Sequence, residues 1–146
     1  MLHSAYDMSS TTLRYQYAPQ QDVIEFTPPD FVLVKYGTIT INEEDNTKET
    51  RWAQEVLNEI KRHAPHGNLK ILMDFRTIDS GEFNSHESNK MYREMLHDDA
   101  ISKVAVFGLP HGWALLIDLL RTFVPHKLKT FSSEDEARTW LYAANR

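Results

Sequence analysis

Two nearly unbroken hydrophobic blocks stand out along the chain. Residues 69–75 have the sequence LKILMDF, and residues 101–109 have the sequence ISKVAVFGL. Each block has the length of a strand and lacks the alternation of apolar and polar positions expected when one face meets water. Such strands are typical of parallel sheets that are covered on both faces. The pattern therefore predicts two central, buried strands.

β-branched and aromatic residues are concentrated in two further stretches nearer the N-terminus. Residues 22–26 and 31–41 are separated by Pro28-Pro29-Asp30. Because proline has no amide for a strand ladder, this pattern predicts two strands joined by a turn. Residues 1–20 are polar and show no sustained period, which predicts a flexible arm with a short strand at 13–17.

Apolar residues recur at helical spacing between these strands. Asn46 and Glu49 have capping-box spacing, which predicts a helix that starts there and ends at Pro65. Asn84 and Glu87 repeat that spacing for a second helix. The predicted inward faces of these two helices are Trp52, Ala53, Val56, Leu57 and Ile60, and then Ser88, Met91, Tyr92, Met95 and Leu96.

The C-terminal third continues the alternation of strands and helices. A third helix is predicted at 112–124, a strand at 127–131, and a last helix capped by Ser132 or Ser133, with Ala137, Trp140, Leu141 and Ala144 inward. The predicted order is ββαβαβαβα. This order is typical of one layered α/β domain with a mixed sheet of four or five strands. We expect the domain to occupy residues 21–146.

Composition excludes several classes of function. The 146 residues carry a net charge of −5, which disfavours a general nucleic-acid binder. The absence of cysteine excludes disulfides and thiolate metal sites and fits a cytoplasmic protein. The N-terminus lacks the features of a secretory signal, and the longest apolar run is too short to cross a bilayer. No cofactor is indicated.

Three segments, taken in order, resemble the SpoIIAA-like branch of the STAS superfamily, whose domains are similar to CRAL-TRIO lipid carriers. They are ILMDFR at 71–76, SKVAVFGL at 102–109 and LKTFSSEDEARTWL at 128–141. The resemblance implies a mixed sheet with helices packed against it. It also implies a non-enzymatic module that binds partner proteins or small ligands, although a fold alone does not settle function.

Ser80 is the candidate for a regulatory modification. In anti-sigma-factor antagonists of the superfamily, a serine in an Asp-Ser-Ser or Asp-Ser-Thr motif accepts a phosphate, whose charge of about −1.5 to −2 ejects the partner. Asp79-Ser80-Gly81 resembles that motif, but Gly81 replaces the second hydroxyl residue. The same tripeptide is also a common turn, and local turn chemistry explains it without any modification.

A ligand or partner surface is predicted around the end of the strand at 69–75. Asp74 and Arg76 lie two residues apart and point the same way, and Asp79 and His111 follow the two central strands. The resemblance favours the pair Asp74 and Arg76 as the rim of such a surface. The alternative is an ion pair that closes the end of the sheet.

The predicted helix at 112–124 is apolar on more than one face. Trp113 and Phe123 lie on its main apolar face, whereas Leu115 and Leu119 extend the apolar surface to the flanks. Three interpretations remain: a deep position in the core, a contact between two copies of the chain, or the wall of a lipid-like ligand pocket.

Other reactive patterns have simpler structural explanations. His63 and His66 have the spacing of a metal pair, but a solvated helix end explains them as well. Ser80, Asp74 and either His86 or His111 could form a triad, yet the nucleophile-elbow sequence is missing. Residues 108–112 connect a strand to a helix, where an anion site and a tight turn are the alternatives.

The sequence thus predicts a non-catalytic module that binds a protein partner. The expected partner is a second copy of the same chain, in a homodimer. A carrier of a small hydrophobic ligand is the alternative of a different class. A minor hydrolase activity through Ser80, His111 and Asp74 is the third.

Overall fold

The computed structural model describes residues 4–6, 12–37, 42–64, 66–77, 86–109 and 127–143. These residues form one seven-stranded mixed sheet and three helices. The strands follow one another across the sheet in chain order, from β1 at one edge to β7 at the other. The fold is therefore the predicted α/β class, with more strands than the four or five expected.

The first four strands pair antiparallel with one another. They are β1 (Ser4–Tyr6), β2 (Leu13–Tyr17), β3 (Asp22–Thr27) and β4 (Phe31–Lys35). The short strand expected at 13–17 is confirmed as β2, and Tyr15 at its centre is buried. The sheet therefore begins before residue 21, where the sequence analysis placed the boundary between arm and domain.

The second half of the sheet is parallel. The strands β5 (Leu69–Asp74), β6 (Ile101–Phe107) and β7 (Leu128–Phe131) follow β4 in parallel register. β5 and β6 pair along their whole length and are buried on both faces, so the central position predicted for the two hydrophobic blocks is confirmed.

Helices cover both faces of the sheet. α1 (Glu43–His63) and α2 (His86–His97) pack over a core that contains Val56, Ile60 and Met91. α3 (Glu134–Tyr142) packs on the opposite face, where Ala137 and Leu141 meet Leu72 and Ala105 of the central strands. Ser133 caps α3 as predicted, accepting a hydrogen bond from the Glu136 amide. The helix predicted at 112–124 lies outside the described residues.

The start of α1 corrects the prediction that Asn46 is the cap. Asn42 is the N-cap, and its side chain accepts a hydrogen bond from the Asp45 amide at 2.9 Å. The Asn42 side-chain amide also donates to the Asp45 carboxylate at 3.0 Å, so the cap lies about one turn earlier than expected. Asn46 and Glu49 consequently lie within α1, and their side chains are buried. Asn84, the cap predicted for α2, lies outside the described residues.

Candidate functional site at the carboxyl edge of the sheet

The carboxyl ends of the parallel strands meet along one edge. Lys35 at the end of β4 lies opposite Asp74 at the end of β5, and Asp74 lies opposite Phe107 at the end of β6. In open α/β sheets this edge is where ligands usually bind. The residues predicted for a partner surface, Asp74 and Arg76, are placed here.

Asp74 and Arg76 form a bidentate ion pair. The Arg76 guanidinium donates from Nε at 3.0 Å and 3.2 Å and from Nη2 at 2.7 Å, and the Arg76 amide donates to the same carboxylate at 3.0 Å. The Asp74 side chain is 7% exposed, whereas that of Arg76 is 59% exposed. Burial raises the pKa of Asp74, but the hydrogen bonds from Arg76 outweigh it and hold that pKa below its usual value.

Two further neighbours fix the position of Arg76. Its guanidinium carbon lies 5.2 Å from the centre of the Phe107 ring, in cation–π geometry. Gly108 has a φ of +78°, and a Cβ on it would lie 2.5 Å from Arg76 Cγ. Only glycine fits this position without displacing the arginine. Gly108, the first residue of the segment for which a tight turn and an anion site were the alternatives, thus packs directly on Arg76.

Aromatic residues lie close in sequence and structure to the ends of β4 and β5. Tyr36, which follows β4, stacks on Phe75 with ring centres 5.0 Å apart. Its hydroxyl is 2.9 Å from the hydroxyl of Tyr92 on α2, and burial raises the pKa of Tyr36 well above its usual value. The Thr77 hydroxyl donates to the Tyr36 carbonyl, so the segment after β5 is tied to the end of β4.

Buried polar side chains lie between α1, α2 and the sheet. The Thr50 and Ser88 hydroxyls are hydrogen-bonded, and Ser88 donates to Asn46 Oδ1 at 2.6 Å. Asp22 and Glu49 are buried in the same region. This cluster was not predicted from the sequence, because Asn46 and Glu49 were interpreted as a helix cap. The signal was present, since these positions precede Ala53, Val56 and Ile60 at helical spacing.

The SpoIIAA-like family model matches residues 37–142, well over half of the chain. The chain belongs to the SpoIIAA-like family. Domains of this STAS-related family are typically involved in regulatory protein interactions. No curated protein and no solved structure matches the chain.

The residues matched by the SpoIIAA-like family model include Asp74, Arg76 and the three described helices. The strands β1 to β4 lie before the matched region. The match therefore confirms the resemblance on which Asp74 and Arg76 were predicted as a surface. It leaves the role of these two residues as a proposal.

The remaining predicted site residues lie outside the described residues: Asp79, Ser80, His111, Trp113, Leu115, Leu119 and Phe123. Their predicted roles stay predictions. Asp74 accepts from three groups of Arg76, which disfavours the triad that would use Asp74 to orient a histidine.

Two further features of the SpoIIAA-like domain concern a metal site and a membrane span. His63 ends α1 and His66 lies in the turn that follows, both exposed, and the described residues include no cluster of three metal-ligating side chains. None of the helices described here has the length and apolar character needed to span a membrane.

Proposed function

We propose that this SpoIIAA-like domain is a non-enzymatic regulatory module that binds a partner protein at the carboxyl edge of its sheet. The observation that carries the proposal is the Arg76 guanidinium, which is largely exposed although a buried carboxylate fixes its position. Ordering a long side chain is a major cost of binding, and here the fold has already imposed that order.

The chemistry of Arg76 indicates which groups a partner would present. Guanidinium has five N–H donors, and Nε–H together with one N–H of Nη2 is used by Asp74. The remaining donors are suited to a carboxylate or phosphate on the partner. Lys35 is also exposed at this edge and lies opposite Asp74, so two cations border the surface of a chain whose net charge is −5.

Removal of Arg76 tests this proposal. We expect Arg76→Ala to reduce cross-linked partner recovered from the native host about tenfold, which corresponds to a loss of about 1.4 kcal/mol, more than most interface residues contribute. Arg93→Ala on α2 is the matched control, because Arg93 is also exposed but lies away from the edge. Equal recovery from both variants, quantified by mass spectrometry, would contradict the proposed surface.

Self-association is the second part of the proposal. It depends on the apolar segment 113–124, so its support is the sequence pattern alone. Static light scattering should give the mass of a dimer for the wild type and of a monomer for Leu115→Glu. A monomeric wild type at high concentration would exclude this contact.

Ser80 remains the proposed phosphoacceptor. A phosphate there would add negative charge four residues after Arg76, and a partner with an anionic group would be repelled. Phosphopeptide mapping of the protein from its native host tests this. Unmodified Ser80 under every growth condition would remove the proposal without affecting the role of Arg76.

A carrier of a small hydrophobic ligand is the second candidate function, and one feature favours it. A groove of about 400 Å³ lies between α1 and α2, where Leu57, Met91 and Met95 supply apolar surface and most of the other lining residues are polar or charged. Such a volume is at the lower end for ligand sites. Native mass spectrometry of gently purified protein should detect the ligand, and Met95→Glu should remove it. Repeated absence of any added mass would end this alternative.

A further inference from the structure

One face of the sheet is only partly covered by the described helices. On this face α3 packs against β5, β6 and β7, whereas α1 and α2 pack against the opposite face. Strands lie about 4.8 Å apart and a helix with its side chains is about 10 Å across, so one helix covers about two strands. Next to α3, the adjoining strands β3 and β4 therefore present a surface about one helix wide, which we call the β3–β4 face.

Apolar side chains run along the β3–β4 face. Phe31 and Leu33 of β4 pack at the border of the cluster beneath α3 and are only half-buried. Val23 of β3 is also half-buried and points to the same side, because it lies opposite Lys35, two residues after Leu33. These three side chains form an apolar strip on the face.

α3 forms one border of this strip. Glu134, Arg138 and Tyr142 are spaced four residues apart, so they share one side of the helix. The Arg138 guanidinium carbon lies 4.8 Å and the Tyr142 ring centre 6.3 Å from the centre of the Phe31 ring. Tyr142 is 55% exposed, more than any other large hydrophobic side chain among the described residues. Exposed tyrosine and arginine beside apolar side chains are typical of protein interfaces.

The accessible cations lie on both sides of the strip. Arg14 of β2 is 50% exposed and lies opposite Glu25, which in turn lies opposite Leu33. Arg138 of α3, on the other side, is 41% exposed. Two further exposed cations, Lys35 and Arg76, lie at the carboxyl edge.

The acids that border the β3–β4 face are less accessible than these cations. Among the described residues each of them is paired with a cation: Glu25 with Arg14, Asp30 with Lys70, Asp74 with Arg76, and Glu134 with Arg138. Asp30 and Asp74 are largely buried, which leaves Glu25 and Glu134 as the accessible acids in this part of the structure. The accessible charge of the face is therefore positive, although the chain has a net charge of −5.

We propose that the β3–β4 face binds an amphipathic helix of a partner protein that has Asp or Glu on both flanks of its apolar stripe. The helix lies beside α3 at the usual distance of about 8–10 Å, with its apolar residues on Leu33 and Val23 and its carboxylates towards Arg14 and Arg138. This inference goes beyond the proposed function, because Arg14, Arg138 and the apolar strip are not at the carboxyl edge.

Charge selects this occupant over two others from the same chain. The apolar segment 112–124 has one acid, Asp118, and one base, Arg121, so it offers no net negative charge to the cations. A second copy that presented the same face would bring its own accessible cations against these, and like charges repel.

Two stapled helical peptides of equal length test the proposal in vitro. Both carry leucine at every third or fourth position, and the flanking positions hold glutamate in one peptide and lysine in the other. Fluorescence anisotropy with the full wild-type chain should give a Kd about tenfold lower for the acidic peptide, and added salt should narrow the difference. The net charge of −5 would by itself favour the basic peptide. Equal affinities, or tighter binding of the basic peptide, would overturn the proposal.

Charge reversal locates the bound peptide. Arg138→Glu should weaken binding of the acidic peptide about tenfold. Arg93→Glu on α2 is the matched control, because Arg93 is exposed on the opposite side of the sheet and its reversal changes the net charge equally. Equal losses in the two variants would mean nonspecific attraction and would overturn the proposal. If Arg138→Glu fails to fold, Arg14→Glu replaces it, and the two peptides on the wild type still decide.

Photo-cross-linking identifies the occupant in the native host. A photoreactive amino acid at position 23 should capture a peptide of another protein that has acidic residues at helical spacing beside apolar ones. Capture of residues 112–124, or of a second copy at the same face, would overturn the proposal. If Arg76→Ala lowers partner recovery but the acidic peptide is not preferred, this inference alone fails. The opposite result would remove only the role of Arg76.

Discussion

At the scale of single residues, the candidate site depends on a close contact between Arg76 and Gly108. We expect Gly108→Ala to destabilise the fold by about 2 kcal/mol or more, because it adds steric overlap with Arg76 to the cost of positive φ, about 1 kcal/mol. Gly67→Ala is the matched control, since Gly67 has a φ of +66° but its nearest contact is 3.3 Å away. Equal losses of unfolding free energy in urea would show that the contact with Arg76 contributes nothing.

The same residues show what local sequence can establish. Asp74 and Arg76 were predicted to point the same way because they lie two apart at a strand end, and the structure joins them in an ion pair. That outcome fits both earlier interpretations, a closing ion pair and the rim of a surface. The contact of Gly108 with Arg76 was not predictable, because it depends on the exact register between β5 and β6 and on the positive φ of Gly108.

At the scale of elements, the last helix depends on a lysine from the central sheet. Lys103 on β6 is 5% exposed, and its Nζ donates to the Trp140 and Ala143 carbonyls at 2.8 Å and 2.9 Å. The last turn of α3 has no basic residue of its own. Burial lowers the pKa of Lys103, yet the two hydrogen bonds satisfy carbonyls that the helix leaves free.

Replacement of Lys103 tests whether its hydrogen bonds to the helix end outweigh the cost of burying its charge. We expect Lys103→Met to lower the free energy of unfolding by about 1–3 kcal/mol, because the helix end loses two charge-assisted hydrogen bonds. Hydrogen exchange should increase most in α3. Lys129→Met on the exposed side of β7 should change stability by less than about 0.5 kcal/mol. An unchanged or more stable Lys103→Met would mean that the cost of burying the charge dominates.

Helix boundaries illustrate why element predictions fail at their ends. Asn42 with Asp45 and Asn46 with Glu49 have the same spacing and chemistry, so both satisfy the local capping pattern. Tertiary burial decides between them: the first turn of α1 projects Asn46 towards Ser88, and the cap must precede it. For the last helix the sequence left Ser132 and Ser133 as alternatives, and the structure identifies Ser133 as the cap.

At the scale of the whole molecule, the parallel centre was predictable and the extent of the sheet was not. β5 and β6 are hydrophobic on both faces, which local sequence shows directly. β2 was predicted as a short strand of a flexible arm, because only Tyr15 among its five residues is buried and this pattern does not show that the strand joins the sheet. The family match starts at residue 37, so it carries no information about β1 to β4.

Although its sequence pattern is weak, we expect β2 to contribute to the stability of the domain. Tyr15 is buried enough that desolvation, together with the nearby Glu59, raises its pKa to about 12, and Tyr17 packs 5.3 Å from Trp52 of α1. Deletion of residues 1–20 should therefore cost about 3–5 kcal/mol, the range for losing a buried aromatic side chain. Deletion of residues 1–11 retains β2 and should cost much less. Coincident urea transitions for the two deletions would instead mean that residues 12–20 contribute nothing to stability, as expected of a flexible arm.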